Sequence, residues 1–195
     1  DVAALSTPSQ SILNASWKIN IFMDFATSSG NYSKFYLVSD NDSLQNSLNG
    51  YFVRVGYTDD DVSFIRQDGT TEVVLIDGVD KRVGTSKVTA QVKVTRDNLG
   101  NWELFVDSTG GMNYVSEGAV FDDSYVTSSY CGVYCKYTST RSSLFYFDSV
   151  VVTGSFIPDL TAPKISSALT TSDSTIDVYF DERVDKTTAE IVANY

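Results

Sequence analysis

The stretch KVTAQVKVTRDNLGNWELFVD (Lys87–Asp107) reads as a β-hairpin and decides the fold class. Val88, Ala90, Val92 and Val94 alternate with Lys87, Thr89, Gln91, Lys93 and Thr95. A period of two places the first set on one face of a strand and the second on the other. Asn98-Leu99-Gly100-Asn101 supplies turn chemistry, and Trp102 and Leu104 resume the apolar face on the return strand.

Working outward, the same alternation runs through Trp17, Ile19, Ile21, Met23 and Phe25. Further extended runs are KFYLVSD (Lys34–Asp40), YFVRVGY (Tyr51–Tyr57), VSFIRQ (Val62–Gln67) and EVVLI (Glu72–Ile76). After a short segment near Tyr114–Val120 come SYCGVYCKY (Ser129–Tyr137) and SLFYFDSVVVTG (Ser143–Gly154). Helical periodicity is absent from the first 155 residues; only KTTAEIVANY at the end suits a helix. Many short strands with turn signals between them predict an antiparallel sandwich of jelly-roll type. Trp17, Val92, Trp102 and Phe147 are expected between its two sheets.

Two of the three prolines, Pro158 and Pro163, fall in SFIPDLTAPKI (Ser155–Ile165). The expected organisation is therefore a sandwich over residues 1–156, a linker over 157–163 and the truncated start of a second β-domain over 164–195. A tail of this length is too short to bury a core alone.

A net charge of −11 argues against a nucleic-acid partner, which requires a basic footprint, and against an anionic membrane surface. No run approaches the eighteen apolar residues of a membrane-spanning helix, so membrane insertion is not expected. Asp1–Gln10 lacks the charged and apolar regions of a leader peptide. His is absent, which removes the commonest general base and metal ligand. Cys131 and Cys135 lie four apart on a strand, about 13 Å between Cα atoms, too far for a disulfide. They are expected as two small buried side chains.

The ordered motifs NGYFVRVG, DVSFIRQDG, KVTRDNLGNWELFVDSTGG and TSSYCGVYCKYTSTRSSLFYFDSVVVTG resemble a domain of secreted Bacteroidetes proteins, many of which also carry lamin-tail-like domains. That domain is similar to the concanavalin A-like, laminin-G-like jelly-roll sandwich. The resemblance spans residues 15–154 and implies that the chain begins after the first strands of the usual domain. The tail from Ala162, including YFDERVD (Tyr179–Asp185), resembles the start of the immunoglobulin-like repeats that follow it in such proteins. The resemblance implies export, a cell-surface or extracellular location and neighbouring domains in a longer chain. It implies no enzymatic activity.

Three constellations bear on function. The fold hosts glucanases, but a retaining glycosidase needs two carboxyls about 5 Å apart. Glu72, Glu103 and Glu117 are scattered and form no E-x-D-x-x-E run, so a glycoside hydrolase is the lesser reading. Asp59, Asp60 and Asp61 in one strand connection form a candidate calcium site, with Asp40 and Asp42 in another; calcium is the only cofactor considered, and none is required. If Cys131, Val133 and Cys135 point inward, Tyr130, Tyr134 and Lys136 share the outer face, with Gly132 leaving a gap. Tyrosine rings offer flat apolar area with a polar tip, which suits a sugar. The leading expectation is thus a non-catalytic carbohydrate-binding or adhesion module taking a glycan or other extracellular ligand. The alternative is a structural spacer.

Overall fold

The structure, a computed structural model, describes residues 1–158, 162–182 and 184. It divides into two units, Asp1–Ile157 and Pro158–Tyr195. The first contains eleven strands: β1 (Val2–Pro8), β2 (Leu13–Met23), β3 (Tyr32–Ser39), β4 (Leu48–Gly56), β5 (Asp61–Gly69), β6 (Thr71–Ile76), β7 (Val88–Arg96), β8 (Asn101–Asp107), β9 (Val115–Phe121), β10 (Tyr130–Lys136) and β11 (Phe145–Ser155). They form two antiparallel sheets, a six-stranded one in the order β1-β10-β3-β4-β5-β6 and a five-stranded one in the order β11-β2-β7-β8-β9. Two hairpin runs, β3 to β6 and β7 to β9, supply the body of each sheet. β10 then returns to lie between β1 and β3, and β11 returns to pair with β2. This is a jelly-roll sandwich.

The alternating segments dictate the core. Trp17, Ile19 and Ile21 on β2 lie opposite Val94, Val92 and Ala90 on β7, and all six are buried. The Lys87–Asp107 hairpin closes as Arg96 pairs with Trp102. Its turn uses Gly100 at φ 100°, a left-handed conformation that glycine adopts without a Cβ penalty. Trp17 stacks on Trp102 at 5.5 Å, and Phe64 and Tyr51 of the other sheet meet Trp102 at 4.9 and 4.7 Å. Phe147 is half-buried and packs against the same cluster.

The six-stranded sheet departs from alternation for a physical reason. Every residue of β3 is buried, because the outward face is covered too. Tyr36, Phe52 and Ile65 form a second apolar cluster with Leu44 and Leu48, and Tyr134 packs against it. A strand covered on both sides needs no polar face. β3 also carries an extra residue at Leu37: Tyr36 pairs with Phe52 but Val38 pairs with Tyr51, and both Leu37 and Val38 join the inner core.

β1 occupies the edge beside β10, pairing Val2 with Lys136 through Pro8 with Tyr130. Its residues are mostly exposed, so they carry no alternation and the segment does not announce itself as a strand.

The second unit contributes the hairpin of β12 (Ile165–Ser172) and β13 (Thr175–Phe180). Ile165, Leu169, Ile176 and Val178 are exposed. A two-stranded ribbon by itself is marginal in water. The expected terminal helix, KTTAEIVANY, lies outside the described residues.

Candidate functional site

The outer face of the six-stranded sheet is organised by register. Tyr134 of β10, Lys34 of β3 and Arg54 of β4 form one rung; Gly132, Tyr36, Phe52 and Ile65 form the next. The intervening rung, Val133-Phe35-Val53, points into the core. The β3–β4 connection folds back over this face. It is pinned by Ser39 Oγ donating to the Asn41 carbonyl at 2.7 Å and by the Asn49 amide donating to Asp40 Oδ1 at 2.8 Å.

Beneath that connection lies a cavity of about 220 Å3, whose lining includes Lys34, Tyr36, Asn46, Glu72 and Tyr134. Lys34 Nζ donates to Glu72 Oε1 at 2.5 Å and sits 4.2 Å from the centroid of the Phe52 ring. Burial pushes the Lys34 pKa below the usual lysine value, and the Glu72 hydrogen bond opposes that shift. The Tyr36 hydroxyl donates to Gln67 Oε1 at 2.8 Å, and Gln67 Nε2 donates to the Gly69 carbonyl at 2.8 Å. Desolvation drives the Tyr36 hydroxyl well above the usual tyrosine range. Next to this floor, Tyr32 meets Tyr57 edge-on at 5.3 Å, and the Arg54 guanidinium lies 4.5 Å from the centroid of the Tyr57 ring. Burial raises the Tyr32 pKa to about 12. The site thus combines a half-buried tyrosine wall, an internally neutralised cation and amide groups on a loop.

Tyr134 lines this cavity. Lys136 is exposed and reaches 5.9 Å from the Tyr32 ring centroid, at the edge of the same face. Tyr130 has the same parity on β10 but pairs with Ser39, beyond Gly132, and does not line the cavity. The gap expected at Gly132 is filled: a Cβ there would stand 2.2 Å from the Leu5 carbonyl oxygen and 2.9 Å from Leu44 Cδ1. The sequence reading does not single out Lys34, Tyr36 or Gln67, and it takes Glu72 only as a scattered glutamate. The signal available was a charge, Lys34, at the head of the apolar run Phe35–Val38.

The aspartate triplet does not assemble. Asp59 is exposed and accepts from Thr58 Oγ1 at 3.1 Å. Asp60 accepts from Thr27 Oγ1 at 2.5 Å. Asp61 is buried and takes the Ser63 hydroxyl, with burial raising its carboxyl pKa. Among the described residues, no group of three or more His, Cys, Asp or Glu is placed to hold a metal ion. Adjacent residues of a strand end diverge, which the run of three letters does not reveal.

The glutamates considered for hydrolysis are also dispersed. Glu103 accepts from Ser116 Oγ at 2.9 Å, and Glu117 pairs with Arg82 at 2.5 Å. Glu72 pairs with Lys34. Cys131 and Cys135 are free and buried, and burial pushes the Cys135 thiol up to about 12.

No family model matches the sequence, and no curated protein is significantly similar to it. Solved structures do match. The carbohydrate binding module CBM66 from Bacillus subtilis aligns with a TM-score of 0.53 and 14% identity, covering 75% of this chain and 76% of that one. The exoplasmic/lumenal domain of VIP36 in its Ca2+/Man-bound form aligns with a TM-score of 0.53 and 9% identity, over 92% of this chain and 81% of that one. At these identities the likeness concerns the fold, a lectin-like, concanavalin A-like jelly roll.

Proposed function

We propose that this chain is a non-catalytic carbohydrate-binding or adhesion module of an exported, multidomain surface protein. The ligand is a glycan, held on the outer face of the six-stranded sheet. The observation that carries the reading is the Tyr134 wall beside a preorganised polar floor, in which Lys34–Glu72 and Tyr36–Gln67 are already paired. A cavity this small, below the ~300–1,000 Å3 of a drug-sized pocket, suits one unit of a chain rather than a whole oligosaccharide. Exposed Lys136 on the same face, and the side chains of Gln45, Asn46 and Thr70 in the lining, are available to address hydroxyls. The likeness to lectin-like and carbohydrate-binding folds supports the same reading. A place outside the cell, the secreted resemblance and a second β-module continuing from Pro158 belong to this proposal.

Affinity electrophoresis in gels containing neutral polysaccharides tests it. Retardation of the intact chain, lost on Tyr134→Ala and reduced on Lys136→Ala, supports binding at this face; Tyr130→Ala is expected to change it little. Retardation by none of the polysaccharides would favour the spacer reading. That second reading has its own observation: much of this face is closed by Leu44 and Leu48 packing onto Phe52 and Ile65.

A further inference from the structure

The outer face of the five-stranded sheet carries a separate cavity of about 270 Å3. Two rungs build it. Tyr146 of β11, Phe22 of β2 and Thr89 of β7 form one; Asp148, Asn20 and Gln91 form the next. The alternation that buries Ile21 and Ala90 drives these six outward. Phe22 and Tyr146 lie 5.6 Å apart with their planes tilted by 42°, and Tyr146 is 51% exposed. Gly110 closes one side. Its loop is held by Asp107, whose Oδ1 accepts from the Thr109 amide at 2.7 Å and whose Oδ2 accepts from the Asn113 amide at 3.0 Å.

We infer that this cavity is a second carbohydrate site, one that takes an uncharged pyranose unit. Three features define the ligand. The tilted aromatic pair offers apolar area to the C–H face of a sugar ring, while the Tyr146 hydroxyl adds a polar tip. The side-chain amides of Asn20 and Gln91 make no hydrogen bond to any described residue, so two donor–acceptor groups stand unengaged one rung from the rings. An amide pairs with hydroxyls in both senses, as donor and as acceptor, which a polyol matches and a simple cation or anion does not. Asp148 is the single charged side chain lining the cavity; it accepts hydroxyl protons and repels uronate or sulfate groups. This site uses residues of the opposite sheet and stands whether or not the Tyr134 face binds sugar.

The test is a heteronuclear NMR titration of the intact 15N-labelled chain with cello-, laminari-, manno- and maltohexaose, plus oligogalacturonate as the charged probe. The expected result is that one neutral hexasaccharide shifts the Asn20 and Gln91 side-chain amide signals. Tyr146→Ala should then weaken that binding by about tenfold or more and Tyr146→Phe by about twofold. Shifts confined to the Lys34–Tyr134 region would overturn the inference and leave the Tyr134 reading standing; shifts confined to Asn20 and Gln91 would do the reverse. No response to any neutral probe, a response to oligogalacturonate alone, or unchanged affinity in a folded Tyr146→Ala chain would each overturn it.

Discussion

Lys34 and Glu72 meet at 2.5 Å although β4 and β5 lie between their strands. Strands three positions apart are separated by about 14 Å, so the two side chains close over the intervening Phe52 ring. The pair puts a buried ammonium at the centre of the six-stranded sheet's outer face and makes its charge depend on one carboxylate.

Removing that carboxylate strands the cation. Glu72→Gln is expected to cost about 1–3 kcal/mol, below the value for a fully buried pair because the Glu72 side chain is 37% exposed. Lys34→Met in the same background should restore part of the loss, since it removes the unpaired charge and keeps the packing. Urea unfolding of the two single variants and the double variant measures the coupling.

The two core tryptophans should respond differently to the same change. Trp102 Nε1 donates to the Asp122 carbonyl at 2.9 Å, whereas Trp17 Nε1 is buried without a partner. Trp102→Phe leaves that carbonyl orphaned; Trp17→Phe removes an orphan donor. Both lose volume, so both destabilise, and Trp102→Phe is expected to be worse by about 1 kcal/mol. Equal losses in chemical denaturation would contradict the assignment.

Alkali should unfold the protein through its tyrosines. Burial raises Tyr32 and Tyr125 to about 12 and moves Tyr36 and Tyr51 further in the same direction. Between the ordinary tyrosine pKa near 10 and these values, the unfolded chain has lost protons that the folded chain keeps. Stability therefore falls as pH rises through that window. Lys34, whose folded pKa is lowered, works in the opposite sense, adding stability as pH approaches the ordinary lysine value. Tyr114 and Tyr134 shift upward as well, so the tyrosines outweigh the one lysine and the net is a loss. The urea midpoint should drop from about pH 9 to about pH 11, and less steeply in Tyr36→Phe.

Acid addresses the deciding hairpin. Asp97 accepts from the Asn101 side chain at 2.7 Å and from the Asn101 and Leu99 amides at 2.9 and 2.8 Å, which hold its pKa down to about 2. Its stabilisation is present above the ordinary aspartate pKa and is lost as pH falls to about 2. Asp97→Ala should lower the thermal midpoint at neutral pH, and the difference from the parent chain should shrink towards zero at the acid end.

Millimolar calcium should leave the melting midpoint unchanged. A ligand bound only by the folded state must raise it, and Asp59, Asp60 and Asp61 point to different partners. A rise abolished by Asp60→Asn would show that a site forms after all.

Alternation along Trp17–Phe25 and Val88–Val94, with the Asn98–Asn101 turn, was enough to read an antiparallel sandwich and to place both tryptophans inside it. It also sent Tyr134 and Lys136 outward, because parity along one strand is a local property. β1 escaped notice, since an exposed edge strand has no apolar face to betray it. The burial of Lys34 and its meeting with Glu72, 38 residues away, depend on which strands become neighbours and on Leu44 folding back over the sheet. So does the dispersal of Asp59, Asp60 and Asp61. Side-chain alternation is written into each strand; contacts across a sheet arise only when the whole chain has chosen its strand order.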